Sequence, residues 1–421
     1  MGLFLTCLAI LLTFLSPVEL VPSLAPYRPT LIVQIFAVVF SVPTIAMRPT
    51  RQLQYPQAVL VVGLWGAIVI SHLSHAWIRS AANSITAFGP SAAIFFLILI
   101  NAFTVKRIRL IGATVIFCGI VTVIQGMLAY YTGWNAAQLL LYPPDDYRSI
   151  VGNRIRGYGI LGDPNDLAQF CLIGIAFLGL FWKRNAALRN TLLFIPAGVL
   201  LFGTYLTFSR GAMLGVCAMM FALMYRKVGS VVSVAGAAVV FLAMRVFQFN
   251  GARDITVDNG RMVAWGAGIG GLLSRPIFGI GYGHFLDIND LTAHNSFVLC
   301  FAELGFFGYF FWLALILTTL MGLWALAKLP RTAPEDDEYA GVVRAVLVSV
   351  AGFLVTAWFL SRTYHETTYV VIAIAAATIQ LRSKALPSAA TQFRKWAPRT
   401  MVAEVVSVIV IYISIRARAF I

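Results

Sequence analysis

Residues 109–131 read RLIGATVIFCGIVTVIQGMLAYY, a single arginine followed by an unbroken uncharged, largely apolar run. At about 1.5 Å of rise per residue such a run is long enough, as a helix, to cross the roughly 30 Å hydrocarbon core of a bilayer. In lipid the backbone must satisfy its own hydrogen bonds, and a helix does so within one segment. The flanking Lys106, Arg107 and Arg109 mark an end that stays in water. Working outward from this run, similar charge-poor stretches recur along the chain. Of its 421 residues, 60% are hydrophobic and only 11% are charged, against about 25% charged in an ordinary soluble domain. A transmembrane barrel would show short alternating segments instead, and the sequence has none.

These observations predict an all-α polytopic membrane protein with about twelve transmembrane helices. The expected spans are 2–20, 30–47, 57–77, 84–104, 109–131, 165–182, 190–208, 211–226, 229–247, 294–327, 341–361 and 367–381. The tenth is overlong, and is expected to start as a half-buried helix at Ala293 and to become a true span after Gly305. Leu3 to Leu15 lacks the basic start and small-residue cleavage site of a signal peptide, so it is read as the first span. Residues 1–384 form one transmembrane domain, and 385–421 a cytoplasmic or interfacial tail, because the apolar run Val405–Ile415 is short for a span.

Charge sets the expected orientation. Lys plus Arg number 31 and Asp plus Glu 16, a net +15. The basic residues fall in alternate short loops: Arg48 and Arg51; Lys106, Arg107 and Arg109; Lys183, Arg184 and Arg189; Arg226 and Lys227; and, beyond a mixed connector with Glu335, Asp336, Asp337 and Glu338, Arg382 and Lys384. The positive-inside rule makes these cytoplasmic and puts both termini inside. No basic helix or stacking platform suits nucleic acid, which is excluded as a partner. The five cysteines lie in apolar stretches without metal-type spacing and read as small buried hydrophobes. The opposite, outer face then carries the long loops, 132–164 and, between helices 9 and 10, 250–293.

The spans hold few ionisable groups, chiefly Glu303 and Arg245, whereas the outer face holds Arg154, Arg156, Arg210, Arg253, Arg261 and Arg275. Guanidinium suits planar, two-pronged recognition of phosphate. Arg210, in Ser209-Arg210-Gly211, stands where two spans meet with almost no loop, close to a helix N-terminus that also attracts anions. The alternative for it is an anchor on lipid headgroups. His294 opens the tenth helix in Ala293-His294-Asn295 and, with an ordinary pKa of about 6.5, is a candidate proton acceptor. The alternative is a capping or headgroup-contacting histidine. His72, His75, His284 and His365 are weaker candidates. In Asp163-Pro164-Asn165-Asp166 the expected cap is Asn165 or Asp166. The adjacent Asp145 and Asp146 are a weak metal signal, so no metal site and no cofactor is expected. Gly279-Ile280-Gly281-Tyr282-Gly283 mimics a nucleotide loop, but lacks the βαβ unit that would give the match meaning.

Four short motifs in this order and spacing resemble the O-antigen ligase superfamily, which includes lipopolysaccharide O-antigen ligases and polysaccharide polymerases. They are Arg156-Gly157 with Gly162-Asp163-Pro164-Asn165-Asp166-Leu167-Ala168; Ser209-Arg210-Gly211; Gly260-Arg261-Met262 with Trp265 and Arg275-Pro276-Ile277-Phe278-Gly279-Ile280-Gly281; and Ala293-His294-Asn295 with Glu303-Leu304-Gly305 and Gly308. The likeness covers roughly residues 110–325. It implies a GT-C-like membrane glycosyltransferase in the bacterial inner membrane with its site facing the periplasm. The donor would be an undecaprenyl-diphosphate-linked glycan, and the acceptor lipid A-core or another glycan. The resemblance implies that Arg210 and Arg261 hold the diphosphate, with Arg156 beside them, and that His294 acts on the acceptor hydroxyl. Asn165, Ser209, Asn295 and Glu303 would support them. An activated lipid diphosphate needs charge stabilisation on the leaving group and a base for the nucleophile. A single displacement predicts inversion, and two arginines make a metal dispensable. A polymerase using the same donor is the alternative within this chemistry. A lipid-linked glycan transporter is the alternative outside it, and would call for ionisable groups at mid-bilayer.

Overall fold

The computed structural model describes residues 1–46, 56–142, 152–246, 259–330, 333–382 and 389–418. The principal helices in chain order are α1 (Gly2–Leu15), α2 (Pro29–Ala46), α3 (Pro56–Leu73), α4 (Ile78–Asn101), α5 (Val105–Thr132), α6 (Pro164–Leu178), α7 (Phe194–Leu206), α8 (Arg210–Val246, broken at Gly229), α9 (Asn259–Ser274), α10 (Ser296–Ala327), α11 (Pro334–Ala357), α12 (Glu366–Leu381) and α13 (Ala389–Arg418). Among the described residues, nine helical segments are long and apolar enough to cross a membrane, and four more are shorter but apolar. The chain is an all-α, multi-pass membrane protein. Every stretch expected to span is mainly helical over its described residues. The four shorter segments, Gly2–Leu15, Arg210–Tyr225, Val228–Leu242 and Glu366–Leu381, answer to expected spans 2–20, 211–226, 229–247 and 367–381.

The helices start and stop where their chemistry dictates. Thr104 caps α5 by accepting from the Arg107 amide, and Gly133, in a left-handed conformation, ends it. At α6 the cap is Asp163, neither Asn165 nor Asp166 as expected: Pro164 takes the first helical position, and Asp163 Oδ1 accepts from the Asn165 amide at 2.7 Å. Contacts between elements define two ends of the bundle. At one end Arg109 pairs with Glu338 and donates to the Leu180 carbonyl, while Arg382 pairs with Asp336. Near that end Asn101 of α4 donates to Thr6 of α1 at 3.1 Å and to Ser41 of α2 at 2.8 Å. Arg48, Arg51 and Lys384 lie outside the described residues.

The opposite end holds the longer connections. A two-stranded antiparallel ribbon, β1 (Leu140–Leu141) and β2 (Arg154–Ile155), pairs Leu140 with Ile155 and Leu141 with Arg154. The stretch 250–293, expected as a loop, contains α9. Its Gly-rich sequence has low helix propensity, but the glycines let it pack closely: a Cβ on Gly268 would run into the Val298 side chain of α10. The overlong tenth helix breaks at Gly305, φ 62°, as its sequence predicts. The break is patched by the glycine loop that follows α9. Ile280 and Gly281 donate to the carbonyls of Ala302 and Glu303, while Phe306 and Phe307 donate to those of Pro276 and Ile277. Gly279 and Gly305, both at positive φ, let the two backbones touch; a Cβ on either would collide with the other strand's main chain. Backbone groups released by the break are thus paired inside the protein, as an interruption near lipid requires.

The segment after residue 384, expected as a tail, folds from Ala389 as the 30-residue helix α13, and Lys395–Arg416 within it is long and apolar enough to span. Trp396, Ala397 and Met401 extend the apolar surface beyond Val405–Ile415. The helix docks on α10, where Tyr309 and Ser407 share a 2.7 Å hydrogen bond.

Candidate functional site

The site is built around the start of α10. Asn295, fully buried, caps the helix: its Oδ1 accepts from the amides of Phe297 (2.8 Å) and Val298 (3.1 Å). Trp265 of α9 donates from Nε1 to the Ala293 carbonyl at 3.0 Å and fixes the approach. Between them His294 takes a left-handed backbone conformation, φ 46°, which a non-glycine residue adopts only at a cost. The cap is Asn295, so the imidazole is not spent on helix termination. His294 is half-buried, and among the described residues no hydrogen bond engages its ring. Burial, then the charge of Arg261, lowers its pKa below the ordinary imidazole value; Arg362 adds to this and Asp163 opposes it. A neutral imidazole beside guanidinium groups is suited to accept a proton near neutral pH.

The groups acting on His294 come from separate elements. Arg261 sits in the first turn of α9, Asp163 is the cap of α6, and Arg362 lies in the short connection between α11 and α12. Arg362 grips Asp166 with both prongs, Nε to Oδ1 and Nη2 to Oδ2. Asp166 is buried in the first turn of α6, three residues beyond Asp163. The Asn165 side-chain amide donates to Asp163 Oδ1 at 2.9 Å and its oxygen accepts from Arg154 Nη2 at 3.2 Å. Arg154, also buried, donates from Nε to the Thr207 carbonyl at 2.7 Å. This ties the mouth of α6 to the turn before α8. There Phe208 has φ 48°, Ser209 Oγ accepts from the Ala212 amide at 3.3 Å as the cap, and half-buried Arg210 is the first helical residue. Asn165, Ser209 and Asn295 therefore organise the backbones that carry Asp163, Arg210 and His294.

Other expected residues have different surroundings. Arg156 donates from Nε to the Gln138 carbonyl (2.8 Å) and from Nη2 to that of Ala137 (3.2 Å), clamping the helical turn Ala136–Leu139. Glu303 is eight residues along α10 from Asn295. Its Oε1 accepts from the Phe285 amide at 3.2 Å, so it holds the loop that patches the helix break. Burial, and then the Glu303 carboxylate, pushes the Tyr364 phenol well above its usual pKa. His365 Nε2 donates to the Ile160 carbonyl at 3.0 Å, and burial drives its pKa down to about 3. His72, His75 and His284 gather around Trp77, and His284 Nδ1 lies 2.7 Å from Asp287. Exposed Arg275 follows α9. Asp145, Asp146 and Arg253 lie outside the described residues, as does the side chain of Arg245.

Sequence reading did not single out Arg362, Asp166 as its partner, or Arg154 as the tether to Thr207. One signal was present: Arg362 is a cation in a connection of a few residues between two long apolar helices.

Fold and site together define a multi-pass all-α membrane protein with a histidine–arginine–carboxylate constellation at one end of its helix bundle. No family model matches the chain. No curated protein is similar enough to count as a relative.

Proposed function

We propose that the protein is a membrane glycosyltransferase of the O-antigen ligase type, GT-C-like in fold with about twelve or more spans. It would move a glycan from undecaprenyl diphosphate to an acceptor hydroxyl on lipid A-core or another glycan. The observation that carries this reading is a half-buried His294 whose imidazole is kept neutral beside Arg261 at the helix ends. The basic loops at the other end favour a bacterial inner membrane with the site toward the periplasm.

In this reading Arg261 and Arg210 take the diphosphate, whose lipid tail remains in the bilayer. His294 accepts the proton of the acceptor hydroxyl as its oxygen attacks the anomeric carbon. The bond from that carbon to the diphosphate oxygen breaks, and undecaprenyl diphosphate departs with the electron pair. Attack from the face opposite the leaving group inverts the anomeric centre. Guanidinium groups already in place stabilise the charge that develops on the leaving oxygen. Arg156, engaged with the Ala136–Leu139 turn, would join the diphosphate contacts only by giving up those carbonyls.

The test is reconstitution with a labelled undecaprenyl-diphosphate glycan and candidate acceptors. Wild-type protein should transfer the label and His294→Ala should not, while remaining folded. Near-normal transfer by His294→Ala would remove the proposed base. A single block on a distinct acceptor indicates a ligase; a ladder on undecaprenyl diphosphate indicates a polymerase with the same chemistry.

A further inference from the structure

The connection between α11 and α12 is bound to the start of α10 more tightly than a turn between two spans needs. Ser296 is fully buried, two residues after His294, and its Oγ donates to the Leu360 carbonyl while accepting from the Arg362 amide at 2.9 Å. Thr363 Oγ1 donates back to the Ser296 carbonyl at 2.7 Å. The side chain of Arg362 then turns the other way, to both carboxylate oxygens of Asp166 on α6, and its Nη1 reaches the Ser361 carbonyl at 3.2 Å. One residue therefore joins α6, α10 and the α11–α12 connection around His294, through its backbone on one side and its guanidinium on the other.

We propose that Arg362 is a positioning residue for His294: clamped on Asp166 and stapled to Ser296, it fixes the left-handed turn that presents the imidazole and keeps a positive charge beside it. The role rests on the glycosyltransferase reading for its use in transfer, but the arrangement itself does not. A guanidinium held in two-pronged geometry on Asp166 fixes the connection against α6, whereas the single ammonium of a lysine would keep the charge without that fixed geometry. Among the described residues the charged groups that act on His294 are Arg261 from α9, Asp163 from the cap of α6 and Arg362 from the connection, with Asp166 occupied by Arg362. Removing one of the two like charges should make protonation of the ring easier.

The measurement uses the full-length protein in detergent. Diethyl pyrocarbonate modifies neutral imidazole, so the pH at which His294 becomes half-reactive, followed by peptide mass spectrometry, reports its protonation without any glycan. Arg362→Gln should raise that midpoint by about half a pH unit or more. Arg362→Lys keeps the charge and should leave the midpoint within about a quarter of a unit of wild type, yet lower glycan transfer at least about tenfold through lost geometry. If Arg362→Gln fails to fold, Arg362→Met, which keeps the long stem and removes only the charge, should show the same upward shift. A midpoint unmoved in either charge-removing protein overturns the proposal, and so does wild-type transfer by Arg362→Lys. A shifted midpoint in a protein whose wild type transfers no glycan would keep the positioning role and discard the proposed reaction. An unmoved midpoint with active wild type would do the reverse.

Discussion

Placing a methyl group on Gly279 tests whether the interlock at the helix break holds the site. Gly279 has φ 73°, and a Cβ there would overlap the Glu303 carbonyl and the Gly305 amide, which are backbone and cannot rotate aside. A left-handed conformation costs a non-glycine residue about 1–2 kcal/mol, and overpacking a tight contact costs a further ~1–3 kcal/mol. Gly279→Ala should therefore destabilise by about 2–5 kcal/mol. Gly283 supplies the control: its φ is 78°, but a Cβ would meet nothing within 4 Å. Gly283→Ala carries only the conformational term, about 1–2 kcal/mol. Denaturant titration of both variants in the same detergent, followed by near-UV circular dichroism, separates the two terms. The 296–304 segment that begins beside His294 is held by the same interlock, so transfer should fall in Gly279→Ala and persist in Gly283→Ala. Equal losses of stability in the two variants would refute the steric part of the reasoning.

Asn295→Ala removes the cap of α10 and should cost ~0.5–2 kcal/mol in the same titration, with loss of transfer because His294 adjoins it. Arg210→Lys should lower transfer by an order of magnitude or more in the reconstituted assay, since lysine cannot make a two-pronged bond to diphosphate. His365 is held neutral, with its folded pKa, about 3, below the ordinary 6.5. The unfolded chain then binds the extra proton between those values, so stability is complete above about pH 6.5 and falls as pH drops below it. His365→Gln should flatten that acid-side slope in thermal unfolding followed across pH 4–8.

The helices and the break at Gly305 were legible because both follow from local chemistry: uncharged runs of spanning length, and a glycine inside one of them. The helix at Asn259–Ser274 was not, because Gly266, Gly268, Gly270 and Gly271 depress its propensity, and the reason for two of them, Gly268 and Gly271, is the approach of α10 and of the loop after α9, a tertiary fact. The extent of the last helix was hidden for a similar reason: Glu404 and the basic residues before it interrupt the apolar run. In the site, His294 stood out as a polar residue at a helix mouth and Arg261 as an arginine of an outer-face loop, whereas Asp163 emerged as the cap of α6 only from the structure. The pairing of Arg362 with Asp166 did not stand out, since they are 196 positions apart and Arg362 carries no motif. Asp166 in particular looks like an ordinary first-turn acid until its partner is seen.

The Asn101 side chain, shared between Thr6 and Ser41, has a bearing on how the protein is made. Hydrogen bonds between helices in lipid contribute only ~0.6–2 kcal/mol each, but these two bonds join α1, α2 and α4, and their donor is the last to be synthesised. The first two helices already pack on each other, Gly2 lying against the Phe40 carbonyl and the Ser41 side chain, but the polar tie between them is completed only when Asn101 follows, some sixty residues after Ser41. A ribosome stalled before residue 101 would leave the Thr6 and Ser41 hydroxyls without that shared donor, while the direct packing of α1 on α2 remained.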